Sequence, residues 1–211
     1  MKIYLIRHGE TDWNKKKLLQ GQVNTPLNEN GIAVARMTAE GLRSVHFDLV
    51  YSSPLKRAYR TAELVTEGRY DIITDERIQE MGFGPFEGYC ISKEGYNVPD
   101  PSFKHYFTRP DLYVNPEGAE SFCDVCKRTG AFMQELIENP ENRDKTILVS
   151  THGAALRGLL AFVKKLPISE FWKGGVHRNC AVTILDVTDG VITIEQENVI
   201  YYDETLSTNY D

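Results

Sequence analysis

The chain has 211 residues, with 24 Lys and Arg against 30 Asp and Glu and a formal net charge of −6. Its 41% of apolar residues supply enough surface to offset the entropy of ordering, which excludes a disordered chain. The acidic balance argues against a nucleic-acid binder, which needs a basic surplus, and no apolar run nears the roughly 18 residues of a membrane span. The start, Met1 to His8, has too short an apolar stretch for a signal peptide and ends in charge, so a cytoplasmic location is expected. With no linker, repeat or low-complexity tract, residues 1–211 read as one domain. The cysteines are Cys90, Cys123, Cys126 and Cys180. Cys123 and Cys126 form a CxxC without a second ligand pair, so they read as two thiols on one helix.

Lys2 to Arg7 is a short run of apolar and β-branched residues, fit for a buried strand. Gly31 to Val45 carries apolar residues at helical spacing. Phe47 to Tyr51 reads as a second strand, and Ser53-Pro54 as the cap and first position of a helix running to about Glu67. Asp71 to Thr74 is a short third strand. Gly82 to Gly118 fits neither period, holds five prolines and many aromatics, and reads as an insert or lid with short helices. Ser121 to Glu138 is strongly helical and closes at Asn139-Pro140. Thr146 to Thr151 is another buried strand, followed at once by a helix from Gly153 to about Lys165. Ala181 to Val187 and Val191 to Gln196 flank Thr188-Asp189-Gly190 as a hairpin. Strands separated by helices imply a three-layer α/β/α fold with a mostly parallel central sheet, a C-terminal hairpin and the insert at about 82–118.

The strand ends concentrate chemistry. The first ends in Arg7-His8-Gly9-Glu10-Thr11. The second ends in Ser52-Ser53, with Arg57 one turn into the next helix. The strand at 146–151 ends in Thr151-His152-Gly153. In an open α/β sheet, ligands bind outside the carboxyl ends of the strands, and helix N-termini there offer backbone donors. An acidic protein that gathers Arg and His at one edge suits an anion. A tetrahedral phosphoryl group fits best, since arginine forks bind its oxygens and imidazole can attack it. Gly9 and Gly153 would let another group approach the backbone closely. A leaving group also needs a proton. Glu80, entering a Gly-rich turn flanked by aromatics, is a candidate acid, with Glu76 and Glu87 as competitors.

Arg7-His8-Gly9-Glu10-Thr11, with Asn14 after it, resembles the signature of the histidine phosphatase superfamily in its phosphoglycerate mutase-like branch. Gln20-Gly21 with Pro26-Leu27 resembles a second segment of that family, and Ser52-Ser53-Pro54-Leu55-Lys56-Arg57-Ala58 with Thr61-Ala62 a third. Glu80, Phe83-Gly84 and Glu87-Gly88 resemble a fourth, Pro116 to Ser121 a fifth, and Thr151-His152-Gly153 the second catalytic histidine motif. The ordered set spans residues 7 to 153. Asn24, Phe86 and Ala119 stand where the family more often has Asp, Trp and Gly.

The resemblance implies a metal-independent phosphatase that hydrolyses phosphomonoesters of small molecules through a phosphohistidine. His8 would be the nucleophile, Glu80 the proton donor, and Arg7, Arg57 and His152 the binders of the phosphoryl oxygens. Asn14 and Gly21 would line the phosphate or substrate pocket. No cofactor is implied. A phosphoglycerate mutase is the nearest alternative. The lid's few cations, Lys93, Lys104 and Arg109, and the absence of paired arginines favour hydrolysis. A catalytically weak phospho-ligand binding module is a further alternative, against which the intact set of five residues speaks.

Overall fold

The computed structural model describes residues 1–207. Its six strands are β1 (Lys2–Arg7), β2 (Leu49–Ser52), β3 (Ile72–Thr74), β4 (Thr146–Thr151), β5 (Val182–Thr188) and β6 (Val191–Val199). They form one sheet in the order β3-β2-β4-β1-β5-β6. β3, β2, β4 and β1 run parallel, and β5 and β6 add an antiparallel edge, as the hairpin predicted. The helices are α1 (Asp12–Lys15), α2 (Glu29–Gly41), α3 (Lys56–Val65), α4 (His105–Thr108), α5 (Phe122–Glu138) and α6 (Gly153–Lys164).

The two faces of the sheet explain why β1 and β4 are apolar at successive positions rather than alternate ones. Ile3, Leu5, Ile147 and Val149 pack with Phe132, Met133, Leu156 and Leu160 of α5 and α6. Tyr4, Ile6 and Leu148 point the other way, onto Val34, Ala35, Ala62 and Val65 of α2 and α3. Layers on both sides therefore pin the strands in register, with Arg7 opposite Thr151 and Ser52 opposite Ser150. A third cluster lies under the insert, where Phe83, Phe86, Phe103 and Tyr106 meet Phe122 and Phe171. Phe103 and Tyr106 stack with ring centroids 5.0 Å apart.

Local chemistry sets most boundaries. α5 starts at a capping box in which Ser121 accepts from the Asp124 N–H while the Asp124 carboxylate accepts from the Ser121 N–H, and it stops before Pro140. α2 begins two residues earlier than its apolar spacing suggests, because Asn28 caps it by accepting from the Gly31 N–H at 2.8 Å. The strand expected at 47–51 lies at Leu49–Ser52.

One element lies outside the expectations and one expectation fails locally. α1 was not foreseen; it is a single turn fixed by a capping box between Thr11 and Asn14. Nor does Ser53 cap α3: the chain bends at Pro54 and Leu55, Leu55 occupies the cap position without a side-chain bond, and the helix starts at Lys56. The insert holds the short helices expected of it, including three-residue turns at Gly84–Phe86 and Pro110–Leu112. Among the described residues, no helix is long and apolar enough to cross a membrane.

Candidate active site

β2, β4 and β1 are neighbours in the sheet, so their carboxyl ends place Ser53, His152 and His8 side by side. The His8 and His152 rings stand 5.1 Å apart between centroids. Arg57, on the first turn of α3, is fully buried and sets its Nε 3.3 Å from His8 Nε2. Its two terminal nitrogens donate to the Gly21 carbonyl at 2.7 Å and the Val23 carbonyl at 2.8 Å, which fixes the guanidinium plane. Arg7 donates to the His177 carbonyl. Asn179 donates to the His8 carbonyl at 2.8 Å, so the loop before β5 holds the end of β1 from the other side.

The tautomer of His8 follows from its partners. Nδ1 lies 2.7 Å from the Gly9 carbonyl, which can only accept, so Nδ1 carries the proton. Nε2 then holds a lone pair, consistent with the Arg57 N–H beside it. Burial first, then the charges of Arg57 and Arg7, push the imidazole well below its ordinary pKa and keep it neutral. His152 is held neutral in the same way, by burial first and then by Arg57. Its Nε2 is 2.7 Å from Ser53 Oγ, and its Nδ1 is buried without a hydrogen-bond partner. The Ser53 hydroxyl therefore orients a site histidine instead of capping a helix.

Glu80 reaches the same edge from the segment after β3. Its Oε1 accepts from the N–H groups of Met81 at 2.9 Å, Ala154 at 3.0 Å and Ala155 at 3.1 Å. Its Oε2 has only a longer contact of 3.3 Å with the Ala154 N–H. This corrects the expectation that the N-terminus of α6 offers its donors to a ligand: the Ala154 and Ala155 N–H groups hold the Glu80 carboxyl. At α3 the Lys56 N–H likewise goes to Asn24 Oδ1 at 2.8 Å. The unusual Asn24 thus serves as a backbone acceptor. The competitors of Glu80 are elsewhere: Glu76 is exposed, and the Glu87 carboxylate accepts from the backbone of Gln22, Val23 and Phe83.

Arg7, His8, Asn14, Gly21, Arg57 and Glu80 line one small cleft of about 80 Å³. His152, beside His8, is not part of the lining. Asn14 is anchored by accepting from the Thr11 N–H at 3.1 Å. Gly21 has φ +48°, and a Cβ there would lie 2.0 Å from Glu87 Oε1, so only glycine fits. The close approach expected at Gly9 is made by the backbone of Gly31, whose carbonyl would lie 2.7 Å from a Cβ at Gly9. Sequence reasoning also missed Gln20, Leu18, Trp172 and Val176 in the cleft, while Lys93, Lys104 and Arg109 are absent from its lining.

Two neutral imidazoles, two buried guanidinium groups and one carboxyl at the carboxyl edge of an α/β sheet define a protein built to bind and transfer a tetrahedral anion. The chain belongs to the histidine phosphatase superfamily, branch 1, whose family model matches residues 3–200. It is 31% identical over 201 residues to phosphoserine phosphatase 1 of Hydrogenobacter thermophilus, covering 95% of this chain and 90% of that one. It is 33% identical over 189 residues to a probable phosphoglycerate mutase of Proteus mirabilis, covering 88% and 85%. Among solved structures, YhfR of Bacillus stearothermophilus superposes with a TM-score of 0.86 at 34% identity, covering 95% of this chain and 98% of that one.

Proposed function

We propose that the chain is a phosphoric monoester hydrolase in which His8 carries the phosphoryl group from a small-molecule ester to water. The observation that carries this reading is the state of His8. Its Nδ1 proton is committed to the Gly9 carbonyl, and its Nε2 lone pair lies in the cleft beside Arg57. A neutral imidazole locked in that tautomer is a nucleophile without further activation.

In the first step Nε2 of His8 attacks phosphorus, an N–P bond forms, and the bond from phosphorus to the alcohol oxygen breaks. Glu80 gives its proton to the departing oxygen. Oε2 suits this role, because Oε1 is occupied by three backbone donors. In the second step Glu80 takes a proton from water as that water attacks phosphorus. The N–P bond breaks, phosphate leaves, and both residues return to their starting states. Arg7 and Arg57, which line the cleft, bind the phosphoryl oxygens, where charge stabilisation accounts for most of the acceleration; His152, outside the lining and bonded to Ser53, joins them only once its ring turns from that hydroxyl. Asn14 and Gly21 border the same pocket. On this reading residues 1–211 act as one cytoplasmic catalytic domain, with 82–118 as its lid.

The test is hydrolysis of p-nitrophenyl phosphate in excess chelator by wild type and by His8→Ala. Activity that survives chelation and disappears in the variant supports the reading. A folded His8→Ala variant with wild-type turnover overturns it.

A further inference from the structure

The proposed reaction leaves the alcohol half of the ester unspecified, and the lining of the cleft constrains it. The apolar part of its lining includes Leu18, Phe83, Ile91, Phe107, Trp172 and Val176. The Phe107 and Trp172 rings meet with centroids 5.2 Å apart, and Phe107 is 42% exposed. Trp172 donates its indole N–H to the Tyr106 carbonyl at 2.7 Å, so what it offers the cleft is apolar surface.

Among the lining residues the only cations are Arg7 and Arg57. The lid cations lie outside: Arg109 forks onto Asp111, and Lys93 and Lys104 are exposed. Lys173, next to Trp172 in sequence, pairs with Glu170 at 2.7 Å. The lining also carries the Glu80 carboxyl, an acidic group. A substrate with a carboxylate beside its ester would have to bury that second anion in a cleft whose lining holds no cation beyond the two arginines of the phosphoryl site. Such an anion loses water and gains no partner. An uncharged ring or alkyl group there loses only water that the walls repel.

Resting on the hydrolase reading, we infer that this cleft selects monoesters whose alcohol carries an uncharged aromatic or aliphatic group, and discriminates against alcohols that carry a carboxylate.

The test compares kcat/KM for 2-phenylethyl phosphate with that for O-phosphoserine and 3-phosphoglycerate. Binding of 3-phenylpropylphosphonate and 2-amino-4-phosphonobutanoate is measured in parallel by calorimetry. We expect at least about a tenfold preference for the phenyl compounds in both measurements, the size of effect that an unpaired buried charge produces. Phe107→Lys, with its fold checked by circular dichroism, should narrow both ratios by adding a cation to the lining. Equal or better turnover of the carboxylated esters, or equal binding of the two phosphonates, overturns the inference. If no ester is cleaved while the phenyl phosphonate still binds more tightly, the selectivity stands and the hydrolase reading fails.

Discussion

Replacing Glu80 with glutamine removes the proposed proton donor while leaving an acceptor oxygen where Oε1 sits. The Met81, Ala154 and Ala155 N–H groups, at 2.9, 3.0 and 3.1 Å, keep their partner. Only the 3.3 Å contact at Oε2 is exchanged for an amide N–H₂. Stability should therefore fall by less than about 1 kcal/mol. Glu80→Ala leaves all three donors without an acceptor, and at roughly 1 kcal/mol each it should cost about 3 kcal/mol. Catalysis should not separate the two variants as stability does. On an alkyl phosphate, whose alkoxide leaves poorly, both variants should lose about 10²- to 10⁴-fold in kcat, equivalent to roughly 3–5 kcal/mol. On p-nitrophenyl phosphate the leaving group departs without a proton, so Glu80→Gln should still be phosphorylated. Its second step, which needs Glu80 as base, should be slow. Stopped-flow absorbance should then show a burst of p-nitrophenol close to one per enzyme, followed by slow turnover. A Glu80→Gln enzyme that hydrolyses the alkyl ester at the wild-type rate would refute the assignment.

Stability should fall as pH drops from 7 to 5. Burial, with Arg157 and Arg7 adding, pushes the pKa of His177 down to about 3, so it stays neutral in the fold while the unfolded chain takes up a proton below about 6.5. Its contribution is complete above that unfolded value and is lost as pH falls, by roughly 2 kcal/mol over this window, with His8 and His152 acting in the same direction. Urea unfolding at the two pH values measures the slope, and His177→Gln should flatten it. Arg128 donates to the carbonyls of Arg77 at 2.8 Å, Gln79 at 2.7 Å and Glu80 at 3.1 Å, while its partner Glu120 accepts from the Gly82 N–H at 2.8 Å. A single ammonium cannot span those positions, so Arg128→Lys should lower kcat on an alkyl phosphate about tenfold with KM nearly unchanged; a matched fall on p-nitrophenyl phosphorylation would show that Glu80 is not what it positions.

The parts of the site that the sequence made legible are those carried by short, strongly patterned segments. β1 and β4 are continuous apolar runs that end in His8 and His152, and the rule that ligands sit beyond the carboxyl ends of parallel strands brought them together before any coordinates. Ser53 was misread because Ser-Pro is a good local helix start. A hydrogen bond to His152, 99 residues away, outweighs that preference. Glu80 was separable from Glu76 and Glu87 only through the family resemblance. The physical reason, that the first N–H groups of α6 dock its carboxyl, joins residues 74 and 75 positions apart. Trp172 and Val176 belong to no local period. They enter the cleft because the buried Arg157 donates to the carbonyls of Phe171 and Lys173 and holds that loop down.

The central claim is that a phosphoryl group resides on His8 during turnover. The direct measurement is acid-free quenching of wild type during steady-state hydrolysis of an alkyl phosphate, followed by peptide mass mapping. The account predicts one phosphoryl group on the peptide containing His8, stable to alkali, lost in mild acid and absent from His8→Ala. Turnover with no phosphorylated enzyme under conditions that make dephosphorylation slow, as in Glu80→Gln, or a label on His152 instead, would contradict it.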